Sequence, residues 1–160
     1  MIKNNQSLNI RPADDSDSMF IRDLSDGAFR LFGEYGDTVL KWFESGYSTS
    51  VIIEFGHKKA GFAMLSEPFG RSGDPFCSEL LAIAVSTEYR GSGLGTLLVD
   101  RITDMAFSTG VNVLFLHTAT DNANAVKLFK ASGFKIWQEK KKFYPMGQDA
   151  FMMAKKFQLI

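Results

Sequence analysis

The sequence predicts an α/β fold, in which apolar runs of strand length alternate with segments of helical periodicity. Three observations carry that reading. Glu79-Leu80-Leu81-Ala82-Ile83-Ala84-Val85 is a short apolar run that reads as a buried strand. Past the turn Arg90-Gly91-Ser92-Gly93-Leu94-Gly95, the residues Leu94, Leu97, Leu98, Ile102, Met105 and Ala106 recur at helical spacing, and Gly110 stops the pattern. A second strand, Val111 to His117, leads into a segment opened by asparagine and closed by Gly133, residue types that start and end helices.

The remaining elements follow in order. Ser7 to Arg11 reads as a first strand, and Pro12 with Asp14 and Asp15 opens a helix to about Leu24. Asp37 to Ser45 carries Val39, Leu40, Trp42 and Phe43 and reads as a short second helix ended by Gly46. Val51 to Phe55 and Ala60 to Leu65 form a hairpin across Gly56-His57-Lys58-Lys59, with His57 solvated in the turn. Pro68 to Asp74 is a loop before the strand at 79–85. After the two central helices come a strand from about Phe134 to Lys142, a loop at Pro145-Met146-Gly147, and a last strand near Ala150 to Phe157. The order is β-α-α-β-β-β-α-β-α-β-β. No repeat or linker divides it, so residues 1–160 read as one domain.

Composition narrows the function. A chain of 160 residues, 45% apolar and 22% charged, is long enough for one real core and short for two. Fifteen phenylalanines point to an aromatic-rich core or pocket. Lys+Arg and Asp+Glu are both 18, so no global field favours nucleic acid or an acidic membrane surface. The longest wholly apolar run, Leu80 to Val85, is six residues against the roughly 20 of a membrane helix. Met1 to Gln6 carry no apolar stretch of signal-peptide type. With one cysteine and two well-separated histidines, neither a disulfide nor a metal cluster is expected. The expectation is a cytoplasmic, metal-free protein, monomeric or homodimeric.

The strand, glycine turn and helix at 79–108 make an anion site. The first amides of a helix lack partners inside it, and the macrodipole adds about half a positive charge there. Glycines at 91, 93 and 95 let the backbone approach a bulky anion, and Arg90 adds a cation at the entrance. A diphosphate suits this arrangement. A kinase-type loop would need Gly-Lys-Ser/Thr, whereas Gly95 is followed by Thr96 and Leu97. A dinucleotide fingerprint would need a third glycine where Leu98 stands.

Arg90-x-x-Gly93-x-Gly95 instead resembles the coenzyme A signature of the Gcn5-related N-acetyltransferases (GNAT). Asn122-Ala123-Asn124-Ala125-Val126-Lys127-Leu128-Phe129-Lys130-Ala131-Ser132-Gly133-Phe134 resembles the same family's N-x-x-A-x-x-L-Y-x-x-x-G-F segment. The matched motifs cover residues 79–134, with weaker likeness to about 157. Before 75 only the order of elements matches. The resemblance implies a mixed, twisted sheet of about seven strands with about four helices, splayed between the fourth and fifth strands. It implies acetyl-coenzyme A as co-substrate. The contacts it implies are Ala84, Val85, Arg90, Gly91, Ser92, Gly93, Gly95 and Thr96 on one side, and Asn122, Asn124 and Phe129 on the other.

Acetyl transfer to an amine needs a neutral nucleophile, a polarised carbonyl and a proton for the leaving thiolate. A lysine amine titrates near ~10.4 and an α-amine near ~7.7–8.0, so a lysine acceptor needs a base badly and an α-amine only slightly. Glu79 starts the expected cofactor strand, where some family members carry a glutamate base. His117 ends the next strand. It stands where bacterial ribosomal-protein alanine acetyltransferases carry a glutamate, and an imidazole can serve an α-amine. Phe129 departs from the family's tyrosine, which protonates the leaving thiolate. Either the thiolate is released through water or another hydroxyl substitutes, and Tyr144 is the candidate, because Phe143-Tyr144-Pro145 followed by Asp149-Ala150 resembles the acceptor loop of the alanine acetyltransferases. The charge run Glu139-Lys140-Lys141-Lys142 reads as a solvated sheet edge. Cys77 reads as a small apolar residue.

The expected activity is acetyl transfer from acetyl-coenzyme A to a primary amine, either on a peptide or protein N-terminus or on an amine-bearing small molecule. A non-catalytic acyl-coenzyme A sensor or assembly module is the alternative, and Phe129 is the residue that favours it.

Overall fold

The computed structural model describes residues 7–158, so the N-terminal segment weighed as a signal peptide lies outside the described residues. The elements are β1 (Leu8–Pro12), α1 (Ser18–Ala28), α2 (Gly36–Glu44), β2 (Ser48–Phe55), β3 (Lys58–Ser66), β4 (Cys77–Val85), α3 (Leu94–Ser108), β5 (Val113–Ala119), α4 (Ala123–Ala131), β6 (Lys135–Lys140) and β7 (Ala150–Lys156). The strands form one seven-stranded sheet in the order β1-β2-β3-β4-β5-β7-β6. Among the described residues only β4 and β5 pair in parallel, so the sheet is mixed.

Alternation along the strands splits the core in two. Val51 and Ile53 face α3 and α4 with Leu98, Ile102, Phe129 and Phe134. Ile52, with Phe62 and Met64, faces α1 and α2 through Ile21 and Val39.

Several boundaries differ from the sequence reading. The first helix does not open at Pro12 and end at Leu24. Asp14 caps a short 3-10 turn over Asp15–Asp17 by accepting from the Ser16 amide, and α1 begins only at Ser18 and continues to Ala28. The reason is Asp17, fully buried and held by Arg11 at 2.8 and 2.9 Å and by Lys59 at 2.7 Å. That ion pair ties β1, β3 and the start of α1 together, so the turn geometry serves the pair. The hairpin is tighter than expected: β3 starts at Lys58, and Gly56, at φ +57, makes the reversal with exposed His57. The strand expected from Phe134 to Lys142 ends at Lys140, and Lys142 has φ +48 in the turn that follows.

A bulge in β4 was not legible. Met64 pairs with Ala82 and Leu65 with Leu80, leaving Leu81 without a partner in β3. An extra residue reverses the facing of everything beyond it. Leu80 therefore joins the α3 core while Ala82, two residues on, joins the α1–α2 core. Glu79, just before the bulge, is thereby presented on the α1–α2 side.

Candidate active site

β4 and β5 pair over three positions only, Cys77↔Val113, Ser78↔Leu114 and Glu79↔Phe115. Past Glu79 the strands part, as the resemblance implied. β4 goes on pairing with β3, and β5 with β7. The remaining residues of β4 thus present an edge unpaired toward β5, and backbone groups on such an edge are open to an outside partner. A cavity of about 420 Å³ fills the wedge, lined by β4 from Glu79 to Ile83, by Leu116, His117 and Thr118 of β5, and by Asn122, Ala125 and Phe129 of α4.

The glycine turn lies at the C-terminal end of β4. Gly91 and Gly93 have φ +77 and +84, and a Cβ at either would meet open space. Gly93 is the N-cap of α3 and has no side chain to offer, so the amides of Leu94, Gly95 and Thr96 await an outside acceptor. No acidic residue lies in the first turn. Gly95 is glycine for a different reason: a Cβ there would stand 3.2 Å from Leu128 Cδ2, where α4 packs on α3. Arg90 Nε donates to the Val85 carbonyl at 3.2 Å, and the Ser92 hydroxyl donates to the Tyr89 carbonyl, so both side chains brace the turn. These residues fit a diphosphate: the backbone is preset, the approach is clear, and the local partial charge is positive.

On α4, Asn122 caps the helix by accepting from the Ala125 amide at 3.3 Å. Asn124 is exposed and does not line the cavity. Phe129 is buried, its ring 6.0 Å from that of Phe134, and reaches the cavity wall only as an apolar surface.

At the other end of the wedge stand the acid–base groups. His117 Nδ1 lies 3.0 Å from Glu79 Oε1, and Lys140 Nζ lies 2.9 Å from His117 Nε2. A lysine ammonium only donates, so Nε2 must be the acceptor and Nδ1 must carry the proton. His117 therefore donates to Glu79, and Glu79 keeps lone pairs free for another proton donor. The Glu79 amide is itself anchored on the Ser66 hydroxyl at 2.8 Å.

Lys140 was misread in the sequence. It is half-buried, not at a solvated edge, and its ammonium lies 5.5 Å from the centre of the Phe143 ring. Phe143 in turn stacks on His117 at 4.6 Å and 15°. The other three members of the run are exposed, with Lys141 bonded to Glu139 and Asp149.

Tyr144 lines the cavity. Burial pushes its hydroxyl above the usual phenol range, with Tyr35 and Glu79 adding to the rise, so it holds its proton through neutral pH. Its loop is set by Asp149, which accepts from the Lys142 amide at 2.9 Å. Cys77 lies outside this cavity, and burial pushes its thiol up, away from nucleophile chemistry. Among the described residues no group of three or more His, Cys, Asp or Glu side chains is placed to hold a metal ion, and no helix is long and apolar enough to cross a membrane.

Sequence reasoning also missed an aromatic wall. Phe29, Phe32 and Tyr35, from the segment between α1 and α2, and Trp42 of α2 line the cavity opposite β4. The phenylalanine count was the only hint, because these residues have no motif spacing.

Residues 18–134 match the acetyltransferase (GNAT) family. The [ribosomal protein bS18]-alanine N-acetyltransferase of Salmonella typhimurium is 33% identical over 78 residues, 47% of this chain and 53% of that protein. An uncharacterized protein of Mycobacterium leprae is 35% identical over 85 residues, 52% of this chain and 23% of its own length. The chain thus spans about half or less of the length of these relatives. A Salmonella typhimurium acetyltransferase solved with its cofactor acetyl-CoA superimposes with a TM-score of 0.81 at 20% identity, covering 96% of this chain and 95% of that one. With the family match running across both helical motifs and the parted strands, the chain belongs to the acetyltransferase (GNAT) family.

Proposed function

We propose that this protein transfers an acetyl group from acetyl-coenzyme A to a primary amine, and that the α-amine of a peptide or protein N-terminus is its acceptor. One observation carries the reading: β4 and β5 part immediately past Glu79, so the edge of β4 left open toward β5 runs from the Glu79–His117 pair toward the glycine turn that precedes the amides at 94–96. The bS18-alanine N-acetyltransferase likeness supports the α-amine as acceptor. Residues 1–160 act as one N-acetyltransferase domain.

The residues divide the work. The backbone at Gly91 to Thr96 holds the diphosphate, with Arg90 beside it, and the open edge of β4 through Ala84 and Val85 holds the arm. Acetyl-coenzyme A supplies a thioester-activated acyl group, which passes from sulfur to nitrogen as the amide forms. Glu79 takes the proton that the amine loses. His117 positions Glu79 through its Nδ1–H and is not itself the base, since both of its nitrogens are engaged. Lys140 holds His117 in that tautomer. Tyr144 remains a hydrogen-bond donor inside the cavity, and water returns a proton to the departing thiolate. A thiol titrates near ~8.5, so that last step is not demanding.

The test is release of free thiol from acetyl-coenzyme A in the presence of a mixed library of amines and peptides, with calorimetric titration of coenzyme A. Acceptor-dependent thiol release is expected. Coenzyme A binding without turnover of any amine would leave only a sensor or assembly role.

A further inference from the structure

The acceptor end of the wedge is an aromatic box. Phe29 and Tyr35 meet edge to face at 6.2 Å, Tyr35 and Tyr144 at 6.4 Å, and Phe143 and Tyr144 at 5.0 Å, while Phe32 packs on Tyr144 at 5.1 Å. Trp42 of α2 completes the wall. Two loops far apart in sequence build the box, and they are bonded to each other. Gln148 Nε2 donates to the Leu31 carbonyl at 2.6 Å, and the Met146 amide donates to the Phe32 carbonyl at 3.4 Å. Gly33 lets Pro145 sit against the first loop, since a Cβ there would come within 3.1 Å of the proline ring. The box is preorganised, so binding does not have to order it.

Its charge is equally informative. The cavity lining contains Glu79 but no arginine or lysine. The lysine closest to the chemistry, Lys140, is engaged on the far nitrogen of His117. An amine arriving as a cation meets aromatic faces and a carboxylate, both of which attract it. A carboxylate or phosphate beside that amine would be buried without a partner, which is costly.

From this wall and this charge pattern we infer that the acceptor is a primary amine carrying a large apolar or aromatic group next to it and no anionic group. A peptide whose first residue is Phe, Leu or Met has that chemistry, and so does an arylalkylamine. A free amino acid, or a peptide beginning with Asp or Glu, does not. The inference rests on the acetyltransferase reading above and narrows it.

The experiment measures kcat/KM by thiol release with five acceptors: a Phe-initiated peptide amide, an Ala-initiated and an Asp-initiated peptide amide of otherwise identical sequence, 2-phenylethylamine, and free phenylalanine. The Phe-initiated peptide or 2-phenylethylamine, whichever is the better, should exceed the Ala- and Asp-initiated peptides and free phenylalanine by about tenfold or more, the scale of an apolar pocket's discrimination. Which of the two leads tells a protein acceptor from a small-molecule one. Trp42→Ala should shrink the Phe-over-Ala ratio while leaving the calorimetric affinity for coenzyme A unchanged. Equal or better use of the Ala- or Asp-initiated peptide, or of free phenylalanine, overturns the inference while leaving acetyl transfer intact. Absence of acetyl-coenzyme A binding in the same preparation overturns the underlying reading and this inference with it.

Discussion

Replacing Glu79 by Gln removes a base with little change of shape. The glutamine carbonyl can still accept from His117 Nδ1, now 3.0 Å from Glu79 Oε1, but an amide cannot take up the proton that the acceptor loses. The size of the loss depends on how much amine is already neutral. At pH 7 an α-amine titrating near ~7.8 is about one-seventh neutral, and a lysine side chain only about one part in 2,500. For an α-amine the variant should therefore lose between about tenfold, from deprotonation alone, and about a hundredfold, where the proton also leaves in the transition state. By about pH 9 most α-amine is neutral without help, so the variant should regain the roughly tenfold part of its loss that comes from deprotonation. For a lysine acceptor recovery would wait until above about pH 10. The assay is kcat/KM for thiol release from about pH 6.5 to about pH 9.5. A Glu79→Gln profile that overlies the parent's throughout would refute the assignment of Glu79 as base and leave the proton to ordered water.

Gly93→Val should abolish coenzyme A binding by calorimetry, because it fills open space at the helix mouth and strains a backbone at φ +84; wild-type affinity would remove the diphosphate from this turn. Arg90→Ala should weaken binding by only about 1–2 kcal/mol, the scale of one charge-assisted contact. Lys140→Met frees His117 Nε2, now bonded to Lys140 at 2.9 Å, and should cut kcat about fivefold or more while the imidazole nitrogens, followed by NMR, lose their single tautomer. Lys140→Arg, which also only donates, should restore both. Asp17→Asn should cost about 3 kcal/mol and lower Tm by about 10 °C in calorimetry, since it leaves Arg11 and Lys59 around a buried site without its charge. Hydrogen bonds from Arg11 hold the Asp17 carboxyl well below the usual carboxylate range, with Lys59 helping against burial. A depressed folded-state pKa means that the stabilisation is whole above the unfolded value near ~3.9 and fades as pH falls through the lower folded value. The gap between parent and variant should accordingly shrink below about pH 4.

The glycine turn and the start of α3 were legible because local sequence dictates them. A strand, three glycines and a helix N-terminus lie within a single stretch, and glycine, lacking a Cβ, takes φ +77 and +84 there without strain. The second motif was equally local, down to Asn122 as the cap of α4. The acceptor half was not, because its residues come from positions 29–42, 79, 117 and 140–145, and no spacing relates them. Lys140 shows why: a lysine in a basic run on a late strand reads as solvated, and only the register of β6 on β7, with Lys140 opposite Ala150, sets its ammonium against His117.

By itself the sequence determined the fold class, the order of elements and the glycine turn ahead of α3, since each follows from short-range periodicity or from a residue type with one strong backbone preference. Only the tertiary structure decided which histidine nitrogen carries the proton, that the bulge at Leu81 separates the facing of Leu80 and Ala82, and that aromatic side chains from two distant loops close over Glu79. Those are consequences of strand register and of loops packed against each other, and pairings between residues so far apart leave no local pattern to read.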